Sequence, residues 1–148
     1  MPHPSLTAET YPHKPAIVMG NSGELVSYRQ LADSINQAAH LFRASGLQPG
    51  DHLALMLENR PEFLSICWAA QTAGLIYTPI SSHLKADETA YILRNCGAKM
   101  FIASAAVADV AMAASAEAEK LESKLMLDGI REGFQSWEEA VDGFGTDA

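Results

Sequence analysis

The sequence is poor in cysteine and in basic residues. Cys67 and Cys96 are its two cysteines, too few for a disulfide framework and without the paired spacing of a zinc site. We therefore expect reduced thiols in a cytoplasmic protein. The 148 residues carry 10 Lys and Arg against 18 Asp and Glu, a formal net charge of −8. This acidic balance argues against binding to nucleic acid, which needs clustered positive charge, and against docking on an anionic membrane.

Long apolar runs are also absent. Runs such as residues 53–57 fall far short of the roughly 20 residues that a membrane-spanning helix needs. The first residues, MPHPSLTAETYPHKP, lack the basic and apolar segments of a signal peptide. We therefore expect no transmembrane segment and a cytoplasmic location. Hydrophobic residues nevertheless make up 48% of the chain, which excludes intrinsic disorder and predicts a folded core.

The sequence lacks the short motifs that usually carry chemistry in α/β proteins. It contains neither a GxGxxG dinucleotide fingerprint, nor a GxxxxGK[ST] phosphate loop, nor a GxSxG nucleophile turn. None of its histidine pairs has the i, i+4 spacing of a helical metal site. The neighbouring acids Glu138 and Glu139 are interpreted as solvated charges on a helix. The residues themselves therefore assign no catalytic group and no metal ligand.

In the first third of the chain, local sequence signals mark where elements begin and end. Four prolines among the first fifteen residues predict an extended arm over residues 1–15, because proline removes backbone donors. Two apolar runs flank the turn cluster at residues 20–23, a pattern typical of a β-hairpin. Ser27 and Gln30 form a capping-box pattern that begins a helix, and Gly46 is expected to end it.

Strands and helices then alternate. Apolar runs predict strands at residues 52–59, 75–81, 99–104 and 124–129. The intervening helices are expected to begin at Pro61, at Asp87 with Tyr91 and Ile92 on the inside, and at Ala105, the last running to Leu121. This alternation predicts an α/β fold with a mostly parallel sheet flanked by helices, built from βαβ units, after a short hairpin. The division expected is an arm (1–15), an α/β subdomain (16–130) and a short acidic helix with coil (131–148).

His83 is the one candidate ligand contact. It follows the end of a predicted strand, in the loop Ser81-Ser82-His83-Leu84, and ligands of open α/β sheets bind beyond the carboxyl ends of strands. An ordinary loop residue is the competing interpretation. Of the other histidines, His3 and His13 are expected to be solvated in the arm, His40 lies on the exposed face of the first helix, and His52 begins a strand after a turn.

The order of segments resembles the N-terminal part of the adenylate-forming, AMP-binding enzymes, and within them the acyl-CoA synthetases or fatty-acid–CoA ligases. The resemblance covers roughly residues 14–145. The segments that carry it are SYRQL (27–31), GLQPGDHLALMLENRPEF (46–63), AGLIYTPISSHL (73–84) and YILRNCGAK (91–99). The fold that it implies is part of the N-terminal domain of the adenylate-forming enzymes.

The resemblance implies a specific reaction. Such enzymes activate a carboxylic acid with ATP and Mg²⁺ to an acyl-adenylate and pyrophosphate, and CoA then displaces AMP. The family's phosphate loop, which ends in Pro-Lys-Gly, would be expected soon after residue 148, so no catalytic residue is assigned here. His83 matches a position at which some CoA ligases place a basic residue near the CoA nucleotide. ATP, Mg²⁺ and CoA are thus implied for the full-length enzyme, with a fatty or related acyl substrate and homodimer formation; the isolated segment is expected to be inactive.

A second hypothesis belongs to another functional class. The chain could be a stand-alone, non-enzymatic α/β module that binds a partner. Such a module must cover its own sheet edges and apolar helix faces, whereas a segment of a larger enzyme would expose them.

Overall fold

Strands and helices alternate along the chain in a computed structural model that describes residues 2–148. The strands are β1 (Pro15–Val18), β2 (Leu25–Ser27), β3 (His52–Met56), β4 (Ile76–Pro79), β5 (Met100–Ser104), β6 (Ser123–Leu127) and β7 (Gln135–Ser136). The helices are α1 (Pro4–Thr10), α2 (Tyr28–Ala44), α3 (Pro61–Thr72), α4 (Ala86–Cys96), α5 (Ala108–Ser115) and α6 (Trp137–Asp142), and a 3₁₀ turn (Ala105–Val107) precedes α5.

The main sheet has five strands in the order β4-β3-β5-β6-β7, and every pair in it is parallel. Leu53 on the interior strand β3 stands opposite Tyr77 of β4 and Met100 of β5. β1 and β2 form a separate antiparallel hairpin. The predicted fold class, a mostly parallel sheet flanked by helices after a short N-terminal hairpin, is therefore confirmed.

The sheet separates two apolar layers. Leu53 and Leu55 on β3 pack with residues of α2, α3 and α6, while Ala54 and Met56 pack with residues of α4 and α5. All four side chains are fully buried. Burial on both faces explains the continuous apolar run at this point, which is typical of a central parallel strand.

The ends of α2 follow local chemistry. The Ser27 hydroxyl accepts a bond from the Gln30 N–H at 3.1 Å, and the Gln30 side-chain oxygen accepts one from the Ser27 N–H at 2.9 Å. The predicted capping box is therefore confirmed. Gly46, just beyond the helix, has a φ of +87°, the left-handed conformation expected of a terminating glycine.

The predicted extended arm is wrong over residues 4–10, which form α1. Pro4 occupies the first turn, where its missing N–H removes a donor that has no helical partner anyway. The His3 side chain accepts a bond from the Ser5 N–H and caps the helix. The proline count obscured this start signal, because a proline at the first helical position favours a helix rather than an extended chain.

Three further expectations need correction. α4 is capped at Lys85 rather than Asp87, and Tyr91 is 63% exposed rather than on the inside. The helix expected to reach Leu121 ends at Ser115, and tighter backbone bonds such as Ala118 N–H to Ser115 C=O replace it. Alanine favours a helix but supplies no stop signal, so propensity alone misplaced this end.

The outer edge of β4 offers few hydrogen-bond donors. The Ile76 N–H donates to the Asp51 carbonyl and the Ile80 N–H donates to the Leu55 carbonyl, on the side of β3. Because alternate residues of a strand direct their N–H groups to opposite sides, the backbone of Tyr77 and Pro79 faces outward. Pro79 has no N–H, which leaves Tyr77 as the one outward donor of the strand. Such an edge resists pairing with another strand.

The last residues return to α2. Trp137 at the start of α6 is buried, with its rings 6.2 Å from the ring of Phe42. Asn36 donates to the Thr146 carbonyl at 2.8 Å, Gln37 donates to the Phe144 carbonyl at 3.1 Å, and His40 lies 2.6 Å from the Asp147 carbonyl. Across residues 2–148, no helix combines the length and apolar character needed to cross a bilayer.

Candidate functional site

The sheet order places a crevice between β3 and β5. From β3 the chain crosses to β4 on one side, and it then returns to β5 on the other side of β3. A reversal of this kind leaves an opening at the carboxyl ends of the two strands, where ligands of open α/β sheets bind. The loops that follow β3, β4, β5 and β6 all lie at this edge, which is therefore the candidate functional site.

A carboxylate and a hydroxyl bridge this crevice. Ser104 ends β5, is fully buried, and donates its hydroxyl to Oε2 of Glu58, which follows β3. Burial alone would raise the pKa of Glu58, but the Ser104 hydroxyl, the Glu58 backbone N–H and Arg60 together hold that pKa below its ordinary value. Glu58 is thus an ionised side chain already satisfied by protein donors.

Arg60 joins three carboxylates in the same place. Its guanidinium lies 3.0 Å from Glu58 and 2.8 Å from Glu62, and it makes a two-pronged contact with Asp128 at the end of β6. Only 16% of the Arg60 side chain is exposed. The bond to Asp128 raises the pKa of Arg60 against the effect of burial, and Arg60 in turn lowers the pKa of Asp128.

Asp128 has an unusual backbone. Its φ is +66°, and it is the one non-glycine residue with positive φ among those that the structure describes. Aspartate tolerates this conformation better than most residues. Its N–H donates to the Glu138 side chain at 2.7 Å, so the loop after β6 is tied both to Arg60 and to α6.

The network holds the edge together but supplies no reacting group. One guanidinium neutralises three carboxylates only partly, and the carboxylates are occupied as acceptors. Within residues 2–148, no group of three or more His, Cys, Asp or Glu side chains is arranged to hold a metal ion. The Cys67 thiol is buried in α3, which raises its pKa to about 11 and keeps it in the unreactive protonated form.

His83 lies beyond β4, at the same edge as the network. The side chain is exposed, and its backbone N–H donates to the Ser81 hydroxyl at 3.3 Å. The neighbouring Ser82 lines two open clefts. One, of about 320 Å³, lies between the ends of β3 and β4, and the other, of about 360 Å³, faces Arg131 and the start of α5. The structure brings His83 to this edge but not into contact with Glu58 or Arg60.

Sequence reasoning did not identify the Arg60 network. The run Glu58-Asn59-Arg60-Pro61-Glu62 places charges directly after a buried strand, and this local signal was available. Asp128 could not be matched to Arg60 from the sequence, because the two residues are 68 positions apart. They meet only when β5 pairs with β3 and β6 pairs with β5.

The family model for AMP-binding enzymes matches residues 5–144. The chain belongs to this family. Among curated relatives, the crotonobetaine/carnitine–CoA ligase of Citrobacter koseri is 42% identical over 102 residues, and that of Escherichia coli is 40% identical over 102 residues. Each match covers 66% of this chain and 20% of the relative. The chain thus spans about a fifth of the length of the curated relatives it matches.

Solved structures agree in fold. The Mycobacterium tuberculosis fatty acyl CoA synthetase shares 26% identity with a TM-score of 0.85, covering 98% of this chain and 28% of that one. The N-terminal domain of FACL13 from the same organism shares 26% identity with a TM-score of 0.87, and the match covers 98% of this chain and 35% of that one. An anthranilate CoA ligase bound to anthranoyl-AMP has a TM-score of 0.87 and 19% identity, and the match covers 98% of this chain and 27% of that one. At this identity the likeness shows the fold alone. The predicted family is confirmed, and the family match does not favour a non-enzymatic module.

Proposed function

We propose that this chain is the N-terminal segment of an ATP-dependent acyl-CoA ligase. The observation that carries the proposal is the continuous family match over residues 5–144, together with 40–42% identity to CoA ligases. The carboxylate oxygen of the acid attacks the α-phosphorus of ATP, and the bond to pyrophosphate breaks. The CoA thiolate then attacks the acyl carbon, and the bond to AMP breaks.

The described residues act in this proposal as a scaffold. Adenylation gives the acid a good leaving group, and such chemistry depends on positive charge near the phosphates. The edge network has an excess of carboxylates and offers no metal-binding group within residues 2–148. The described residues therefore do not fit a Mg²⁺ site. ATP and CoA are the proposed co-substrates of the larger enzyme.

We propose that His83 contacts a phosphate of the CoA nucleotide. Its exposure at the carboxyl edge and the two clefts beside Ser82 support this placement. Neutral imidazole can donate one hydrogen bond, and protonated imidazole adds a charge. In the larger enzyme, His83→Ala should raise the KM for CoA about threefold to tenfold with little change in the KM for ATP. An equal rise in both constants would contradict a specific CoA contact.

The acid is proposed to be aliphatic. The CoA ligases that are 40–42% identical to this chain are named for crotonobetaine and carnitine, and a fatty acyl CoA synthetase shares the fold at 26% identity. A panel should therefore contain crotonobetaine, carnitine, fatty acids of graded length and benzoate as an aromatic control. Exclusive turnover of benzoate would contradict the proposal. A cytoplasmic homodimer is the proposed state of the enzyme.

The deciding experiment begins with the gene. Sequencing past codon 148 is expected to reveal a Ser/Thr/Gly-rich loop ending in Pro-Lys-Gly, and the encoded protein should release pyrophosphate with ATP and an acid and form a thioester with CoA. A stop codon at position 149 would overturn the proposal. Calorimetry with Mg·ATP on the 148-residue chain is expected to show no saturable heat, because it has no phosphate loop.

A further inference from the structure

His3 joins the N-terminal helix α1 to α3. Its Nδ1 lies 2.7 Å from the Ser5 hydroxyl and accepts the Ser5 N–H at 3.2 Å. Its Nε2 lies 3.0 Å from the Thr72 hydroxyl at the end of α3. The ring also stands edge-on to Trp68, with centroids 5.0 Å apart. Both ring nitrogens are thus engaged, one within α1 and the other across to α3.

The bonds fix which nitrogen carries the proton. The Thr72 hydroxyl has one hydrogen, and it donates that hydrogen to the Trp68 carbonyl at 2.8 Å. The Thr72 oxygen must therefore accept from His3, so Nε2 carries the proton. Nδ1 is left unprotonated, which is what the Ser5 N–H requires of its acceptor.

We propose that α1 is a pH-dependent strap, which stays docked on α2 and α3 while His3 is neutral and is released when His3 is protonated. A proton on Nδ1 would face the Ser5 N–H, donor against donor, and the N-cap of α1 would be lost. The Ser5 hydroxyl can rotate so that its oxygen accepts a hydrogen bond from the protonated Nδ1, but the Ser5 backbone N–H can only donate. With only seven residues, α1 is too short to persist as a helix without its docking contacts.

The charges on α1 and α2 do not favour protonated His3. Arg43, near the end of α2, donates to the Thr72 carbonyl at 3.5 Å and brings positive charge to the same place. The other charged groups of α2 are Arg29, Asp33 and His40; Arg29 pairs with Asp33, and His40 contacts the Asp147 carbonyl. Glu9 is the one acid on α1 and is exposed.

The groups on α3 are equally unable to stabilise the charge. Its one acid, Glu62, stands at the opposite end of the helix and pairs with Arg60. Its thiol, Cys67, stays protonated. Among residues 2–148, no carboxylate forms an ion pair with His3. Burial lowers the pKa of docked His3, in the direction that the hydrogen bonds also require.

The sign of the pH dependence follows from these contacts. Undocked His3 titrates near its ordinary pKa of about 6.5, and docked His3 titrates lower. Docking is therefore fully favourable above about pH 6.5 and weakens as the pH falls toward the docked pKa. Between the two pKa values, the equilibrium constant for docking of α1 decreases by up to about tenfold for each unit that the pH is lowered.

Amide hydrogen exchange on the complete 148-residue chain tests this proposal. Protection of the α1 amides, corrected for the intrinsic pH dependence of exchange, is measured by NMR between pH 7.5 and 5, along with the titration of the His3 ring. His3→Asn keeps an N-cap acceptor but cannot titrate in this range. His13→Asn removes an exposed histidine near α1 and serves as the matched control.

The expected result is a loss of α1 protection that follows His3 protonation in the parent chain and in His13→Asn, and constant protection in His3→Asn. Protection in α2 should stay unchanged throughout. Two results would overturn the proposal: a His3 ring that titrates while α1 keeps its protection, or the same pH-dependent loss in His3→Asn. Because His3→Asn retains every other titratable group, the comparison isolates the imidazole.

Discussion

At the scale of single residues, Arg60 has the largest set of charged contacts at the carboxyl edge of the sheet. It connects the loop after β3 to the loop after β6 through Glu58 and Asp128. A charge-assisted, two-pronged contact of this kind is stronger than a neutral hydrogen bond. Removing the guanidinium leaves three carboxylates near one another with no positive partner. The network therefore stabilises the edge only as a complete set.

Replacing Arg60 by alanine should lower the free energy of unfolding by about 2 kcal/mol at pH 7. This is less than the roughly 3–5 kcal/mol for a fully buried pair, since 16% of the side chain remains exposed. Urea unfolding followed by circular dichroism measures the change. The control is Arg29→Ala, which removes an exposed ion pair with Asp33 and should cost under about 1 kcal/mol. Equal losses in the two variants would contradict a special role for Arg60.

Acid should affect the parent chain and Arg60→Ala differently. The pKa values of Glu58 and Asp128 are lowered in the folded chain. Their stabilisation is therefore complete above their unfolded pKa values, about 4, and is lost as the pH falls through the folded values. In Arg60→Ala, the difference between folded and unfolded pKa values shrinks. Unfolding free energies from pH 7 to 3 should then decline less steeply in the variant, and parallel curves would show that Arg60 does not set these pKa values.

At the scale of elements, glycine ends several helices. Gly74 follows α3 with a φ of +76°, and a Cβ built there would lie 3.2 Å from Cβ of Pro49. Gly46 after α2 also has positive φ, but its surroundings are open, and Gly20 has open space without positive φ. Glycine is needed where φ is positive or where a Cβ would meet a neighbour, and the three positions separate these two reasons: Gly74 has both, Gly46 has only the positive φ, and Gly20 has neither.

Alanine at these positions should produce a graded series. Gly20→Ala should change stability by under about 0.5 kcal/mol. Gly46→Ala should cost about 1–2 kcal/mol, because a left-handed conformation is strained for a residue with a Cβ. Gly74→Ala should cost more than Gly46→Ala, because the contact with Pro49 adds to that strain. Thermal unfolding ranks the variants, and a Gly74→Ala chain as stable as Gly20→Ala would refute the explanation.

Local signals account for the elements that the sequence predicted correctly. The Ser27–Gln30 box, Pro61 at the start of α3 and Gly46 after α2 act within a few residues, so the sequence shows them directly. The end of α5 and the two-residue strand β7 have no such marker. Exposure of Tyr91 depends on which face of α4 meets the sheet, and the Arg60–Asp128 contact depends on strand order. These features are set by tertiary contacts that one sequence does not display.

At the scale of the whole molecule, the two outer strands differ. β4 carries exposed Ile76 and Tyr77 on an edge with few donors, while β7 pairs with β6 through only two residues. Exposed apolar side chains beside unpaired backbone promote association between chains. Pro79 opposes this at β4 because it removes an outward N–H.

Replacing Pro79 by valine should increase self-association. The change restores an outward donor and adds a residue of high β-propensity. Sedimentation velocity over a range of concentrations should show dimers or larger species in Pro79→Val at concentrations where the parent chain has fewer. Thr78→Val is the matched control, because its N–H points toward β3. If both variants associate equally, added hydrophobicity rather than the new donor is responsible.

The strand order also has a consequence for biosynthesis. β3 is made first, β4 joins one side of it, and β5, β6 and β7 are then added one after another on the other side. A ribosome-bound chain can therefore assemble the sheet without inserting a late strand between two earlier ones. We expect nascent chains that extend well past β5 to resist protease near β3 and β4 before β7 has been translated. From β5 onward, every new strand of the main sheet therefore joins the same growing edge.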